Sequence, residues 1–191
     1  MTNTDTPDPQ LSIIMPAFNE DRRLGLALDQ LKRHFESSPM TVEIIIVDDG
    51  STDDTSGVAR AFDPGPLTVR LFRNRVNRGK GFSVRRGMRK ARGQMMLMTD
   101  TDQSTPIHEL AKLMPHLNDG FDVVVGSRDL DESLITQRQP HHRHGMGLLM
   151  RGLRRRIMLR DIKDTQCGFK LFSRTAARDI FRRVREDGFP F

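Results

Sequence analysis

Two carboxylates one residue apart, Asp100 and Asp102, follow directly on the apolar run of "QMMLMTDTDQSTP". Acids placed where a buried strand surfaces are costly unless something cationic sits between them. Mg2+ or Mn2+ favours oxygen ligands and shares them with substrate phosphates, so the pair suits a divalent ion bridging to a diphosphate. An ion so placed stabilises a departing nucleotide diphosphate. The competing reading is a solvated turn or a helix N-cap. Ser104 is placed to orient a ligand or water, and Thr105 to cap the helix that follows.

A second acidic cluster, "VDDGSTDDT", closes another apolar run. It reads either as a turn with Asx chemistry or as carboxylates that bond a nucleobase edge or a ribose hydroxyl. Asp49 takes the ligand role, while Asp48 stays open between that role and capping the next helix. In "NRGKGFSVRRGMRKARG", Gly79, Lys80 and Gly81 precede a helix. Amides at a helix start together with a lysine suit an anion, and a solvated basic helix is the alternative. The spacing is not that of a Walker A loop. Cys167 lies beside Phe169, Leu171 and Phe172 with no base near it, which predicts a buried structural thiol. The "HHRH" run lacks the acidic or cysteine partners that a zinc site needs.

These groups require a scaffold that brings strand ends together. Short apolar runs at Leu11–Phe18, Val42–Val47, Leu67–Asn74, Gln94–Asp100 and Phe121–Arg128 alternate with helical patterns. The helices are expected near 20–37, 55–61, 81–91 and 105–118, the first from Leu24, Leu28, Leu31 and Phe35 at helical spacing. Near-continuous apolar strands separated by helices predict an α/β fold with a mostly parallel central sheet flanked by helices. Ligands then bind outside the carboxyl ends of the strands. Asn19-Glu20, Asp48-Asp49, Asp100-Thr101-Asp102 and Ser127-Arg128 would all meet along that one edge.

The 191 residues suit one domain, and no apolar run approaches the roughly 18–20 residues of a membrane span. Residues 1–10, polar and Pro-bearing, are expected to form a disordered tail without the features of a signal peptide. A single cysteine favours a reducing compartment. The net charge of +6 is local: seven arginines, three histidines and no acid lie between Arg138 and Arg160, leaving the remainder near −1. Over 138–160, Met146, Leu149, Met150, Leu153 and Ile157 share one helical side and Arg151, Arg154, Arg155 and Arg156 span the other. That pattern fits a surface helix packed on the core, or an amphipathic helix at an anionic membrane interface.

Taken in order, "PAFNE", "VDDGSTDDT", "NRGKGFSVRRGMRKARG", "TDTDQSTP", "VVGSR" and "DTQCGFKLF" resemble family 2 glycosyltransferases of the GT-A, nucleotide-diphospho-sugar transferase fold. The branch they look most like comprises the polyprenyl- and dolichyl-phosphate glucose and mannose synthases. The likeness runs from about Leu11 to the end and implies one GT-A domain over 11–191. It also implies a further strand and a basic loop beyond "EDGFPF", so that the last part of the family domain is missing. Phe18 stands where the family usually has tyrosine, and Thr101 where it usually has alanine.

The resemblance implies transfer of a hexose, with inversion, from a UDP- or GDP-sugar to a polyprenyl phosphate, assisted by Mg2+ or Mn2+. By the same likeness Pro16, Ala17, Phe18, Glu20, Val47, Asp49, Lys80, Asp100, Thr101, Asp102 and Arg128 would hold the nucleotide sugar. Asp102 and Arg128 would be catalytic, and Asp100, Asp102 and Ser104 would address the metal. Arg138, Arg143, Gln166 and Lys170 would meet the acceptor phosphate. The protein would be cytoplasmic and peripheral at the cytoplasmic face of a membrane. The alternatives are a transferase with a soluble acceptor and a non-catalytic nucleotide-sugar or nucleic-acid binding module. The last is disfavoured, because the arginine segment has no interleaved tyrosine or tryptophan on which bases could stack.

Overall fold

A computed structural model describes residues 7–127 and 167–188. The chain runs β1 (Leu11–Ala17), α1 (Asp21–Phe35), β2 (Val42–Asp48), α2 (Thr55–Ala61), β3 (Thr68–Arg73), α3 (Lys80–Lys90) and β4 (Met95–Met98). A single 3-10 turn (Ile107–Glu109) leads into α4 (Leu110–Asn118) and β5 (Val123–Val125). β6 (Lys170–Ser173) and a last helix, here α5 (Arg174–Arg183), complete the described elements. The expected tail ends early: Pro9 is buried, its carbonyl accepts from Gln94, and the Gln10 and Leu11 amides donate to Thr41. Residues 1–6 and the basic segment 138–160 lie outside the described residues.

One sheet holds all six described strands in the order β3-β2-β1-β4-β6-β5. The pairs β3–β2, β2–β1 and β1–β4 are parallel, whereas β6 runs antiparallel to both β4 and β5. All residues of β2, and all of β1 except Pro16, are buried, as strands covered on both faces must be. Alternation sends Ile13, Met15, Ile44 and Ile46 to one face, where Leu24, Leu28 and Leu31 of α1, Ala59 of α2 and Leu110 and Leu113 of α4 meet them. Ile14, Ile45 and Val47 face the other way, onto Val84 and Met88 of α3 and Ala177 and Phe181 of α5.

A carboxylate buried in this sheet is neutralised where it lies. Glu43 of β2 has a fully buried side chain and accepts from Ser12 Oγ (2.6 Å), the Arg92 amide (2.7 Å) and Arg70 (2.9 Å). Those partners lie on β1, on β3 and just after α3, so one charge ties the far end of the sheet together.

Pro16 explains why the opposite end is open. The Thr99 amide donates to the Ile14 carbonyl (3.1 Å), and that of Asp49 to Ala17 (2.8 Å). Alternate residues of β1 therefore face β4 and β2, and the amide that Pro16 lacks would point towards β4. Pairing between those strands ends at Ile14–Met98, so no ladder bond is lost there. Strand order also reverses at this place, since β2 and β3 lie on one side of β1 and β4 on the other. Crevices form at such a switch point.

Candidate active site

The strand ends converge on one cavity of about 320 Å³. Pro16, Ala17, Phe18 and Glu20 come from the end of β1; Asp49 follows β2; Asp100, Thr101 and Asp102 follow β4. Lys80 enters from the first turn of α3. Nine of the residues expected to hold a nucleotide sugar thus line one cavity. Val47 does not: its side chain is fully buried beneath α3 in the second core cluster. Arg128, Arg138, Arg143 and Gln166 lie outside the described residues. Lys170 opens β6 opposite Met98 of β4 and Val125 of β5, at the same sheet edge as the cavity.

The two acids that end β2 have separate tasks. Asp48 is fully buried and accepts from the Ser51 amide (2.8 Å) and the Ser56 hydroxyl, with Arg73 at 3.5 Å. Burial alone would raise its pKa, but the Ser51 and Ser56 bonds and the Arg73 guanidinium hold it below the ordinary aspartate value. Its role is to fold the turn that follows. Asp49, at the cavity wall, accepts from Asn74 Nδ2 (2.6 Å) and from the amides of Arg78 (3.0 Å) and Gly79 (2.7 Å). Its carboxylate therefore shapes the 74–79 loop as well as lining the site.

The start of α3 decides against one of its two readings, the anion site on the helix amides. The amides of Gly79, Gly81 and Phe82 are not open to an anion, that of Gly79 being held by Asp49. Gly81 donates to the Gly188 carbonyl and Phe82 to that of Asp187, both at 3.2 Å. Gly79 has φ +95, and a Cβ there would overlap the Asp187 carbonyl. What α3 brings to the cavity is the Lys80 ammonium, 2.7 Å from Asp100 Oδ1.

Asp100 is backed on its other side by Gly168, where any Cβ would overlap the carboxylate. Asp102 is exposed, and Oδ1 accepts from both the Ser104 amide (3.0 Å) and the Ser104 hydroxyl. Ser104, expected as a metal ligand, orients that carboxylate by donating to it, which leaves the lone pairs of its hydroxyl oxygen available to a cation. Thr105 does not cap the next helix: Pro106 holds the N-cap position without a side-chain bond, and Thr105 Oγ1 lies 3.8 Å from Sγ of buried Cys167. Partial burial pushes the Glu20 carboxyl above the ordinary glutamate value. Arg23 pulls it back, while the charges of Asp102 and Asp53 add to the rise.

Among the described residues no three His, Cys, Asp or Glu side chains gather into a metal cage. The donors at the cavity are carboxylate oxygens, which suit a hard cation that completes its shell from water and substrate phosphate. Asp100 and Asp102 fit such an ion as partial ligands. Gly79, read with Lys80 as a candidate anion site, lines the cavity, and so do Asn77 and Ser83, which were not among the expected site residues. Ser83 lies one turn after Lys80 on the same helix face, a spacing visible in "GKGFS".

The fold matches solved glycosyltransferases. Mannosyltransferase PcManGT from Pyrobaculum calidifontis, in complex with GDP-Man and Mn2+, superposes with a TM-score of 0.53 at 27% identity, covering 65% of this chain and 38% of that one. Glucosyl-3-phosphoglycerate synthase from Mycobacterium tuberculosis, in complex with Mn2+, UDP-glucose and phosphoglyceric acid, superposes at 0.64 with 21% identity, covering 87% and 57%. The architecture is thus the GT-A fold. In sequence, the dolichyl-phosphate beta-glucosyltransferase of Homo sapiens is 36% identical over 204 residues, matching 98% of this chain and 62% of that protein. The chain spans 57–62% of the length of the first curated relatives it matches. The model of the family "Glycosyl transferase family 2" matches residues 12–181. With its cavity at the switch point of a GT-A sheet and that match over most of its length, this chain belongs to glycosyl transferase family 2.

Proposed function

We propose that this protein transfers a hexose, with inversion, from a UDP- or GDP-sugar to a polyprenyl phosphate of the dolichyl type at a membrane surface. The observation that carries the reading is the convergence of Phe18, Asp49, Lys80, Asp100 and Asp102 on one cavity. The acceptor comes from the likeness to the human dolichyl-phosphate beta-glucosyltransferase.

The chemistry asks little of a general base. A phosphate oxygen is anionic at neutral pH and attacks the anomeric carbon directly, whereas a sugar hydroxyl would first have to lose a proton. Catalysis then rests on alignment and on neutralising charge at the leaving diphosphate. A divalent cation shared by Asp100 and Asp102 supplies that neutralisation when bound. Ser104 holds Asp102 in position for it. Phe18, 43% exposed, offers a ring face to the base, with Pro16 and Ala17 beside it. Lys80 meets the diphosphate. Lys170, together with Arg128, Arg138, Arg143 and Gln166, is assigned to phosphates of donor and acceptor. No described helix is long and apolar enough to cross a membrane. In this reading the lipid is met from the surface, with segment 138–160 as the contact and the cytoplasmic face as the side.

The test is a panel of UDP- and GDP-sugars with Mg2+ or Mn2+ and dolichyl phosphate, scored by extraction of a new glycolipid. One donor is expected to give a β-linked product. Product only with a water-soluble phosphorylated acceptor would overturn the lipid assignment, and no product with any acceptor would overturn the transferase reading.

A further inference from the structure

We propose that Lys80 is a rival to the divalent cation at Asp100, so that the metal binds well only together with a nucleotide diphosphate. This rests on the sugar-nucleotide reading of the cavity. The Lys80 ammonium stands 2.7 Å from Asp100 Oδ1, with side-chain exposures of 23% and 30%. The pair is half-sheltered, so water screens it less than an exposed pair. Gly168 lies against the other oxygen of Asp100, so the carboxylate has close neighbours on both sides. Lys80 is anchored as well: it is the first residue of α3, and Gly79 before it is held by Asp49.

A divalent ion approaching Asp100 therefore meets a positive charge already seated on its ligand. Sharing the oxygen sets two cations within a few ångströms of each other, and displacing the lysine alone gives up the 2.7 Å ion pair in a half-buried place. A diphosphate removes both obstacles. Its oxygens give the ammonium a new partner, and Asp100 turns to the metal. With the Gly81 and Phe82 amides taken up by Gly188 and Asp187, the lysine ammonium is the group of that helix that makes the exchange. Lys80 is in this account a positioning residue that couples metal and nucleotide binding, and coupling of this kind is reciprocal.

The test is Mn2+ titration followed by electron paramagnetic resonance of the free ion, without nucleotide and with UDP or GDP. It compares wild type, Lys80→Met, Lys80→Arg, Asp100→Asn and the Lys80→Met/Asp100→Asn double variant, each checked for folding by circular dichroism. Without nucleotide, Lys80→Met is expected to bind Mn2+ about tenfold more tightly than wild type, while Lys80→Arg stays weak. The gain is expected to vanish in the double variant, and the tightening that nucleotide brings to wild type is expected to shrink in Lys80→Met. Unchanged or weaker Mn2+ binding by Lys80→Met, or a gain that survives Asp100→Asn, would overturn the proposal. Failure of both nucleotides to bind any variant would defeat the sugar-nucleotide reading and the coupling with it. The nucleotide-free titrations still decide the rivalry at Asp100.

Discussion

Glu20 sits in the field of two other carboxylates, Asp102 and Asp53, and is partly buried, which together raise its pKa despite Arg23. An acid whose pKa is raised by folding holds its proton more tightly in the native state, so its ionisation opposes folding. That cost is absent below the ordinary glutamate range and complete once pH exceeds the raised value. Glu20→Gln removes it. Melting curves across pH should show the variant stabilised near neutrality, with the difference closing as pH falls through the glutamate range; a loss of stability at every pH would contradict this. Asp48 behaves in the opposite sense, lending stability above the ordinary aspartate value and losing it as pH falls through its lowered one. In "VDDG" the two acids look alike. Asp48 is set apart by Ser51, Ser56 and Arg73, contacts that only the folded turn creates.

Among the elements, β6 does most to position the acids of β4. It pairs antiparallel with that strand, from Lys170 opposite Met98 to Ser173 opposite Met95, and so carries Gly168 up to Asp100. Gly168→Ala would place a Cβ against the Asp100 carboxylate. The obstructing atom is the end of a side chain that can turn, so stability should fall by less than about 1 kcal/mol. Asp100 would be displaced from Lys80, and affinity for Mn2+ with nucleotide diphosphate should fall several-fold. Calorimetry checks both quantities; unchanged affinity would show that Gly168 does not set the position of Asp100. The first five strands and four helices were legible because apolar runs and periodic leucines announce them. β6 and α5 were not. β6 has four residues in a stretch whose aromatics read equally well as core filling, and its place between β4 and β5 is a tertiary choice with no local signal. The choice between the two readings of the α3 amides was closed to the sequence for a related reason, since the carbonyls that cover Gly81 and Phe82 come from more than 100 residues away.

At the scale of the whole molecule, the sheet explains why weak motifs add up. Strand order reverses between β1 and β4, and the polar ends of β1, β2 and β4 flank that reversal. Parallel pairing was enough to foresee the convergence; the reversal that opens the cavity was not, because strand order is not written in any one segment. The account therefore stands on the carboxylates after β4 acting on a nucleotide sugar. The most direct measurement compares wild type with Asp102→Asn in synthesis of labelled glycolipid from the accepted nucleotide sugar and dolichyl phosphate. Asp102 is exposed, so the variant should melt within about 1 kcal/mol of wild type while its turnover drops at least about a hundredfold. A folded Asp102→Asn protein that forms glycolipid at the wild-type rate would contradict the account.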